Sequence, residues 1–572
     1  MTDPGQRARA TGAPSRDASD GTEDPASGPA ALAAATGSNG QLRARRIATA
    51  VGLGDGATPT AHAPTSGVHC HLLASGHVLG PSGWAWSHAP LPTTAAGDLD
   101  RARITEDAAT IAQRPDGGIE VRTGISGAQG LYVHLDPDSG EVAIASLPTA
   151  LVDADVAPSI ADWDAWAEII ASGGGFGGRT PFRHVRRLQP TDALVIGAHG
   201  TPMIEPRAWE WFDEVPEGSA TLDDIADALD HVVARIADRA PLHVLLSGGW
   251  DSRVLAALAA RHDPGASAWT TSKDAGTAWE ELIARRVARE LHLSHRIQQP
   301  DAAAFADDMV DYSRTVGYQT SYHVWLNHLV RGLQRRAGTV LDGLGGGVFF
   351  GGAFPPTFGL GSAHERRFAQ SIRYLRSAPG VLRPEVEEQL TERVRAGFDE
   401  VTRPLVGHRE VDALSAYLIR TLPGISLGPF GLVARYARTA TPFLAHRVVR
   451  ASAAIPAKDR RDRRLYPALL RRIAPTVADL PTAQEPPPRD RRRPQRGASV
   501  RTATAMRASL TAHAVGELLH PDLRHAEVKV WQRHLESKAD QHVLRSLWML
   551  ALWLDRYRPS GEGPEVLARP VG

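Results

Sequence analysis

The chain has 572 residues, of which 42% are hydrophobic, so it is long enough to form more than one folded domain. Lys and Arg together number 64, as do Asp and Glu, and a net charge of zero argues against a dedicated nucleic-acid or membrane-surface binder. The single cysteine, Cys70, excludes an internal disulfide and a zinc site built from cysteines. No apolar run is long enough to span a bilayer, and the N-terminus lacks the apolar core of a secretory signal. We therefore expect a cytoplasmic protein.

The first part of the chain divides into a tail and a sheet-rich domain. Residues 1–65 are poor in large apolar side chains and rich in Gly, Ala, Ser, Thr, Pro and Asp, a composition that predicts a disordered tail. Residues 66–215 alternate short apolar runs with turn residues. The runs at 130–135 and 141–145 flank a Gly-containing turn and predict a β-hairpin. A helix over 160–171 and a strand over 193–197 follow, and the pattern is typical of an α+β domain dominated by antiparallel sheet.

The second part, residues 216–560, has the rhythm of a parallel α/β sheet. Apolar residues spaced three and four apart predict a helix over 222–236, with Thr221 as its N-cap and Asp224 three residues later. Strands at 243–246 and 266–271 then alternate with helices at 252–261 and 279–291, which predicts crossover connections. Beyond about residue 360 the chain is expected to be helical. Residues 485–497, rich in Pro and Arg, predict a mobile loop.

The loop SGGWDSR at residues 247–253 lies where an apolar strand turns into a helix. Its glycines let the backbone approach a ligand, and the start of the helix presents free N–H groups and the positive end of its dipole. Ser247 and Ser252 add hydroxyl groups. Asp251 would repel a bare phosphate, so its presence implies a bridging cation, most simply Mg²⁺. A Gly-Gly turn that merely joins strand to helix is the alternative interpretation.

A second Gly-rich segment, TVLDGLGGGVFFGG, follows another apolar strand at residues 339–352. In an open parallel sheet, ligands bind at the carboxyl ends of strands. The loops after Leu246, Thr271 and Leu341 are therefore expected to converge on one nucleotide, with Asp342 and Gly343 at its edge. A Gly-rich linker is the alternative for this segment.

The 247–253 loop resembles the PP-loop of N-type ATP pyrophosphatases, which cleave ATP between the α- and β-phosphates. This resemblance implies ATP and Mg²⁺ as cofactors and Asp251 as the metal ligand. It implies that the pyrophosphate and its magnesium are held by Ser247, Gly248, Gly249, Asp251 and Ser252, with Asp251 and Ser252 as catalytic residues. The predicted nucleotide site is completed by the strand ends at Leu246 and Thr271 and by Asp342 and Gly343 of the second Gly-rich segment.

The 339–352 segment resembles the asparagine synthetase family, but it departs from the family pattern. Gly347 replaces the family's magnesium-binding Asp and Val348 the following Glu. Leu344 occupies the position that is Glu in asparagine synthetases and Tyr in β-lactam synthetases. Two interpretations follow: magnesium is held by Asp251 with waters and phosphates, with or without Asp342, or its binding is weakened.

Three other side chains near the predicted nucleotide site have two interpretations each. Glu280 and Glu281 are candidate carboxylates beside the ATP, although a solvated helix face is the more ordinary interpretation. His295 lies where the family often has a histidine, and a structural role is favoured.

The sequence around 176–190 resembles the end of a class II glutamine amidotransferase domain of the Ntn type. Such a domain needs an N-terminal cysteine whose own amine acts as base, whereas this chain begins with Met1 and its only cysteine is Cys70. The resemblance therefore implies a degenerate domain that does not use glutamine. Residues 439–444 resemble the family's C-terminal part. Its usual lysine is absent, and four arginines are either substitutes or an exposed basic face: Arg463, Arg464, Arg471 and Arg472.

Within this family the chain is most similar to lasso-peptide macrolactam synthetases. The resemblance implies that an Asp or Glu side chain of a core peptide is adenylated and then attacked by the peptide's own α-amine, with release of AMP and diphosphate. The implied partners are the precursor peptide, a leader-peptide protease and a leader-recognition protein. Two alternatives remain: an amide-forming relative that acts on a small substrate, and a degenerate scaffold without catalysis.

Overall fold

A computed structural model describes most of the chain beyond residue 107 and shorter stretches before it. The described residues are 32–36, 40–51, 60–62, 70–74, 77–80, 83–86, 108–197, 202–271, 278–299, 301–334, 336–351, 361–460, 464–483 and 496–570.

Two six-stranded sheets form the N-terminal part, and all neighbouring strands within each sheet are antiparallel. The first sheet contains β1 (Leu32–Thr36), β2 (Thr60–His62), β3 (Cys70–Ala74), β8 (Tyr132–Leu135), β9 (Val142–Ala145) and β10 (Arg186–Arg187), in the order β10-β8-β9-β1-β3-β2. The second contains β4 (His77–Gly80), β5 (Gly83–Trp86), β6 (Ala109–Gln113), β7 (Ile119–Arg122), β11 (Asp192–Ile196) and β12 (Met203–Pro206), in the order β12-β11-β7-β6-β5-β4. The predicted hairpin is confirmed as β8 and β9.

Strand β1 is buried on both faces because its side chains alternate between two cores. Leu32 and Ala34 pack into an apolar core with residues of both sheets. Ala33 and Ala35 point the other way, into a core that also contains α1 (Gly40–Ala50), α2 (Pro148–Asp153) and α3 (Trp163–Ser172). The N-terminal part is therefore layered as helices, sheet and sheet.

The prediction that residues 1–65 are disordered is wrong for 32–36, 40–50 and 60–62, which form β1, α1 and β2. The Ala-rich composition of this segment favoured disorder. Strand β1 is nevertheless stable because it is hydrogen-bonded on both sides, to β3 and β9, and its small side chains fit between two closely packed layers. Residues 1–31 lie outside the described residues. Cys70, at the start of β3, is paired with Thr36 at the far end of β1.

The C-terminal part contains a five-stranded parallel sheet, as the sequence predicts. Its strands are β13 (Leu242–Leu245), β14 (Ser267–Thr271), β15 (Ser294–Gln298), β16 (Thr339–Leu341) and β17 (Arg438–Ala440), in the order β15-β14-β13-β16-β17. The chain runs outward from β13 to β14 and β15, then returns to place β16 on the other side of β13. The boundary between β13 and β16 is thus a topological switch point, where the loops that follow adjacent strands diverge and leave a crevice.

Helices flank this sheet and form the rest of the described C-terminal part. The predicted helix at 222–236 is α4 (Leu222–Ala237), and Thr221 and Asp224 form its capping box. The others are α5 (Trp250–His262), α6 (Ala278–Glu290), α7 (Phe305–Thr315), α8 (Asn327–Leu333), α9 (Gly346–Phe349), α10 (Ala363–Ser371), α11 (Arg373–Arg376), α12 (Pro384–Thr402), α13 (Val411–Ala416), α14 (His446–Ala454), α15 (Ala457–Arg460), α16 (Leu465–Ile473), α17 (Pro475–Ala478), α18 (Val500–Thr511), α19 (Pro521–Arg524), α20 (Val528–Glu536) and α21 (Lys538–Tyr557). Among the described residues, none of the helices combines the length and the apolarity needed to cross a membrane.

The N-terminal and C-terminal parts share a core. Trp166 of α3 meets Trp553 of α21 edge-on, with ring centroids 5.5 Å apart. The buried guanidinium of Arg187 donates to the Leu422 carbonyl at 2.6 Å and to the Ala128 carbonyl at 2.9 Å, which ties the first sheet to the helical part.

The mobile loop predicted at 485–497 lies mostly outside the described residues. For its last two residues the prediction is wrong: Arg496 and Gly497 are buried in a 3₁₀ turn. Arg496 donates to the buried Asp308 carboxylate at 2.9 Å, and this buried charge pair orders the turn.

Candidate functional site

Residues 247–252 join β13 to α5, and two serine side chains fix the shape of this turn. The Ser252 hydroxyl accepts the Ser247 N–H at 3.0 Å and lies 2.9 Å from the Ser247 hydroxyl. The Ser247 hydroxyl accepts the Gly249 N–H at 3.1 Å. Gly249 is the N-cap of α5 and has no side chain with which to cap it. The first amides of α5 and the positive end of its dipole therefore face the crevice, which favours an anion there.

Gly248 lies against a segment from far along the chain. A Cβ at this position would stand 2.6 Å from the Cβ of Ala483, so only glycine fits. The Ala483 N–H also donates to the Gly248 carbonyl at 2.9 Å. Residues near 483 thus form one wall beside the loop.

Arg253 holds that wall in place. It is fully buried in α5, and its guanidinium donates to the carbonyls of Val477, Leu480 and Pro481 at 2.7 to 3.0 Å. The sequence analysis did not assign this role. One feature of the sequence could have indicated a buried arginine: Arg253 is followed directly by an unbroken apolar run in α5, and a charged residue that faces solvent seldom has such neighbours.

The second Gly-rich loop follows β16, next to β13 in the sheet. The Asp342 carboxylate accepts the Leu344 N–H at 2.8 Å, and the Asp342 N–H donates to the Ala440 carbonyl at 3.0 Å. Gly345 is the N-cap of α9 and has a φ of +92°, in the left-handed region that favours glycine. The loop therefore turns sharply back toward β13.

The two glycine loops meet at Asp251. A Cβ on Gly343 would be 2.8 Å from the Asp251 Cβ, and a Cβ on Gly346 would be 2.7 Å from its Oδ1. The same Gly346 Cβ would be 2.6 Å from the hydroxyl of Tyr466, whose ring stacks on Trp250 at 5.7 Å. The Asp251 carboxylate thus lies directly over the second loop, at the switch point between β13 and β16.

Asp251 and Asp342 form a pair of like charges. Burial, which is the largest effect, and the charge of the neighbouring Asp251 together raise the pKa of Asp342 to about 6, against the opposing effect of the hydrogen bond from Leu344. A divalent cation would relieve this repulsion, and carboxylate oxygens are ligands that Mg²⁺ prefers. The donor chemistry therefore fits a magnesium ion held with help from phosphate oxygens. The described residues contain no cluster of three or more metal-ligand side chains.

Gly347, the position of the family's metal-binding Asp, also lies beside Asp251. A Cβ there would be 3.9 Å from the Asp251 Oδ2, with nothing closer. The sequence thus lacks the Asp that the resemblance leads us to expect at position 347, although the structure has room for a side chain there. Leu344 and Val348 are both buried in the apolar core of this part.

The remaining predicted residues line the ends of β13 and β14. The Leu246 N–H donates to the Trp269 carbonyl at 2.9 Å, and the Leu246 carbonyl accepts the Thr270 hydroxyl at 2.6 Å. The Thr271 hydroxyl donates to the Gln298 carbonyl at 2.9 Å, so it braces β14 against β15. His295 Nε2 lies 2.8 Å from the Thr270 hydroxyl, and burial lowers its pKa to about 4. This neutral, hydrogen-bonded state agrees with the structural role that was favoured.

Glu280 and Glu281 do not lie on a solvated helix face, so that interpretation is wrong. They are 6% and 4% exposed. The Glu281 carboxylate accepts the Gln299 amide at 2.9 Å, and Glu280 Cγ would be 3.4 Å from a Cβ on Gly248. The structure thus brings the side chain of Glu280 close to the first glycine loop.

The three candidate arginines that the structure describes are not gathered at the loops. Arg471 and Arg472 are exposed and pair with Asp479 and Asp223, and Arg464 is also exposed. Arg463 lies outside the described residues. An exposed basic face is therefore the better interpretation of the three that are described.

Comparison with known proteins places this crevice within one protein family. The family model described as asparagine synthase matches residues 224–555. The match begins in α4 and ends in α21, so it includes both glycine loops and more than half of the chain. The two antiparallel sheets lie before it. No curated protein matches the chain.

Proposed function

The chain belongs to the asparagine synthase family, and from this premise we propose that it joins a peptide carboxylate to an amine through an acyl-adenylate. Members of this family use ATP and Mg²⁺, and membership supports ATP-dependent amide-bond formation in general. Family membership does not identify the carboxylate or the amine, and we propose them separately below.

One observation carries the proposal: the two glycine loops converge on Asp251 at the switch point of the parallel sheet. In open α/β sheets this crevice is where nucleotides bind. The hydroxyls of Ser247 and Ser252 and the first amides of α5 supply donors for phosphate oxygens. Asp251, with Asp342 beside it, supplies negative charge for a cation.

We assign the roles accordingly. The pyrophosphate portion of ATP is held by Ser247, Gly248, Gly249 and Ser252, and its magnesium by Asp251. The α-phosphate and adenosine lie along the strand ends, against Leu246, Thr271, Asp342 and Gly343. Asp251 and Ser252 are the catalytic residues, because they contact the phosphates between which the bond breaks.

The chemistry follows from charge and geometry. A carboxylate oxygen attacks the α-phosphate, the bond to the β-phosphate breaks, and pyrophosphate leaves with the electron pair. An amine then attacks the acyl carbon, loses a proton, and AMP departs. Mg²⁺, when bound, neutralises charge on the phosphates. The protein aligns the reacting groups and places donors where negative charge accumulates.

We propose that the substrate is a peptide that supplies both groups: an Asp or Glu side chain and its own α-amine, closing a macrolactam. The loop sequence and Leu344 support this choice, since a β-lactam synthetase would place a tyrosine at 344. Cys70 lies inside β3, with its nitrogen in a peptide bond, which supports an amine source other than glutamine. The expected partners are the precursor peptide, a leader-peptide protease and a leader-recognition protein.

The test is release of AMP and pyrophosphate by the purified protein with Mg·ATP and a synthetic core peptide. We expect release to depend on the peptide, and the product to be lighter than the linear peptide by one water. Release that requires only ammonia or a small amino acid would favour a small-substrate ligase. A folded protein that fails to bind Mg·ATP would favour a non-catalytic scaffold.

A variant pair tests the assignment of the loop. Asp251→Ala should abolish AMP formation while circular dichroism stays unchanged. Asp522→Asn is the matched control, since its side chain is 93% exposed and far along the chain in α19. Retained turnover in Asp251→Ala would refute the proposed role of the loop.

A further inference from the structure

A second cluster of charged side chains lies between the N-terminal and C-terminal parts, apart from the residues of the glycine loops. It comprises Tyr322, Arg373, Tyr374, Arg420, Lys538 and His542, and we call it the basic pocket. Arg373 and Tyr374 lie on α11, Lys538 and His542 on α21, and Arg420 in a π turn, Tyr417–Thr421. The Tyr322 hydroxyl donates to the Ser172 carbonyl at the end of α3. Elements from both parts of the chain thus build it.

Aromatic rings form the walls of the basic pocket. Tyr322 stacks on His542 with centroids 5.2 Å apart, and Tyr374 lies 4.6 Å from His542 on another side. Arg373 packs over the Tyr374 ring at 4.5 Å and donates to its hydroxyl at 3.0 Å. Lys538 lies 5.7 Å from the same ring. The rings hold the cationic groups in place without neutralising them.

The positive charges of the basic pocket have no described counter-charge. Arg373, Arg420 and Lys538 make no ion pair with any carboxylate of the described residues. Burial lowers the pKa of Arg420, and the charge of Arg373 lowers it further. Burial would raise the pKa of Tyr374, but the charges of Arg373 and Lys538 more than offset it, and the pKa lies below its usual range. The electrostatic environment is therefore strongly positive.

Two polar side chains inside the basic pocket lack hydrogen-bond partners. His542 is 2% exposed, and neither ring nitrogen makes a hydrogen bond of ordinary geometry, although one lies near the Ile170 carbonyl. The Nε of Arg420 is buried without an acceptor as well. Buried donors without acceptors are uncommon in native structures, because each forfeits its hydration. An oxyanion would satisfy both groups, and a guanidinium binds one in a bidentate manner.

Exposure decreases steadily from the rim of the basic pocket to its base. Lys538 is exposed, Arg373, Tyr374 and Arg420 are partly exposed, and His542 is buried. A cation at the rim attracts an anion from solvent, and the cations farther in hold it where the local dielectric is lower. This gradient is typical of a binding site and differs from an isolated structural charge.

We propose that the basic pocket is an oxyanion-binding site that takes a carboxylate or a phosphate group, separate from the glycine loops. Arg420 and His542 contact the anion at the base, and Arg373 and Lys538 flank it at the rim. The pocket stands on its own residues, so it does not depend on the proposed ligase activity.

Thermal unfolding of the full chain with inorganic phosphate, or separately with glutarate, at constant ionic strength tests the proposal. We expect a saturable rise in Tm for the wild-type protein with at least one anion. The rise should shrink several-fold in Lys538→Gln, whose exposed position makes misfolding improbable, and in Arg420→Gln. A response to phosphate alone or to glutarate alone identifies the source of the oxyanion, and either supports the site.

Lys529→Gln is the matched control, because Lys529 is an exposed lysine on the neighbouring helix α20. It should respond as the wild type does. Phosphate can also bind the first glycine loop, where the Asp251 carboxylate opposes it. Asp251→Asn removes that opposing charge and leaves the basic pocket intact, so any additional rise in Tm in this variant measures the contribution of the loop. An unsaturable rise in Tm, or an equal rise in Lys538→Gln and the wild type, would overturn the proposal.

Discussion

Replacing Asp342 by Asn is expected to stabilise the metal-free protein while weakening the binding of Mg·ATP. The asparagine carbonyl still accepts the Leu344 N–H, so the loop keeps its 2.8 Å hydrogen bond. The negative charge beside Asp251 is lost. Functional sites often contain a residue whose replacement stabilises the fold but weakens ligand binding.

The size of the expected stabilisation follows from the pKa of Asp342. Burial and Asp251 raise the pKa of Asp342 from 3.8 to about 6, and a shift of this size corresponds to about 3 kcal/mol. Asp342 keeps some accessible surface, and solvent screening reduces the effect, so we expect about 1 to 3 kcal/mol. Because the folded protein binds this proton more tightly than the unfolded chain, the contribution is complete below about pH 4 and is lost as the pH rises through 6. The stability advantage of Asp342→Asn over the wild type should therefore develop between pH 4 and 6 and be complete above pH 6.

Urea unfolding followed by tryptophan fluorescence, at pH values from 4.5 to 7.5 without divalent cations, measures this difference. The gap between Asp342→Asn and the wild type should widen as the pH rises. Addition of Mg²⁺ with ATP should stabilise the wild type more than the variant. Asp522→Asn, at an exposed site, should show no such gap. A variant less stable than the wild type at pH 7.5, or a gap independent of pH, would refute the proposed carboxylate pair.

Three further substitutions follow from the packing of the site. Gly248→Ala should weaken Mg·ATP binding at least tenfold by calorimetry, because its Cβ would displace Ala483. Arg253→Met should lower the free energy of unfolding by about 2 to 4 kcal/mol, since it leaves one buried and two partly buried carbonyls without their donor. Gly347→Asp should fold normally, because a Cβ there has room, and should tighten binding of Mg²⁺ alone by adding a carboxylate near Asp251.

Each of these has a discriminating control. Gly347→Ala adds the same methyl group as Gly248→Ala, in open space on the second loop, and should bind Mg·ATP normally. Equal binding losses in the two variants would contradict the packing argument. For Arg253→Met, the comparison is Arg524→Met, whose exposed ion pair with Glu517 should contribute little to stability. If Gly347→Asp weakens metal binding, repulsion among carboxylates outweighs coordination.

Local patterns in the sequence predicted the parallel sheet well. The apolar runs before residues 247 and 342 are long enough to be recognised as strands, and Thr221 with Asp224 marks the start of α4. The strand β1 was missed because its sequence, LAAAT, carries no β-branched residue before its end and little hydrophobicity. Its stability comes from partners far along the chain, β3 and β9, which composition alone does not reveal.

The candidate site was predictable where one segment carries the geometry, and not where distant segments meet. The turn at 247–252 places its own serines and glycines, so its shape follows from the motif. The wall at Ala483 and its anchor, Arg253, depend on contacts more than 220 residues apart in sequence. The burial of Glu280 and Glu281 likewise depends on tertiary packing, since helical periodicity places charged residues on solvated faces by default.

The absence of a carboxylate at 347 bears on how the metal reaches the site. Burial, with a smaller contribution from repulsion by Asp251, already raises the pKa of Asp342 to about 6. A third carboxylate near them would increase this repulsion in the metal-free protein and would favour capture of free Mg²⁺. With only Asp251 and Asp342 beside the second loop, free Mg²⁺ has few charged ligands there, and the phosphate oxygens of ATP are expected to supply most of its coordination. The metal is therefore expected to bind mainly as Mg·ATP, so that the site becomes electrically balanced only when the nucleotide is present.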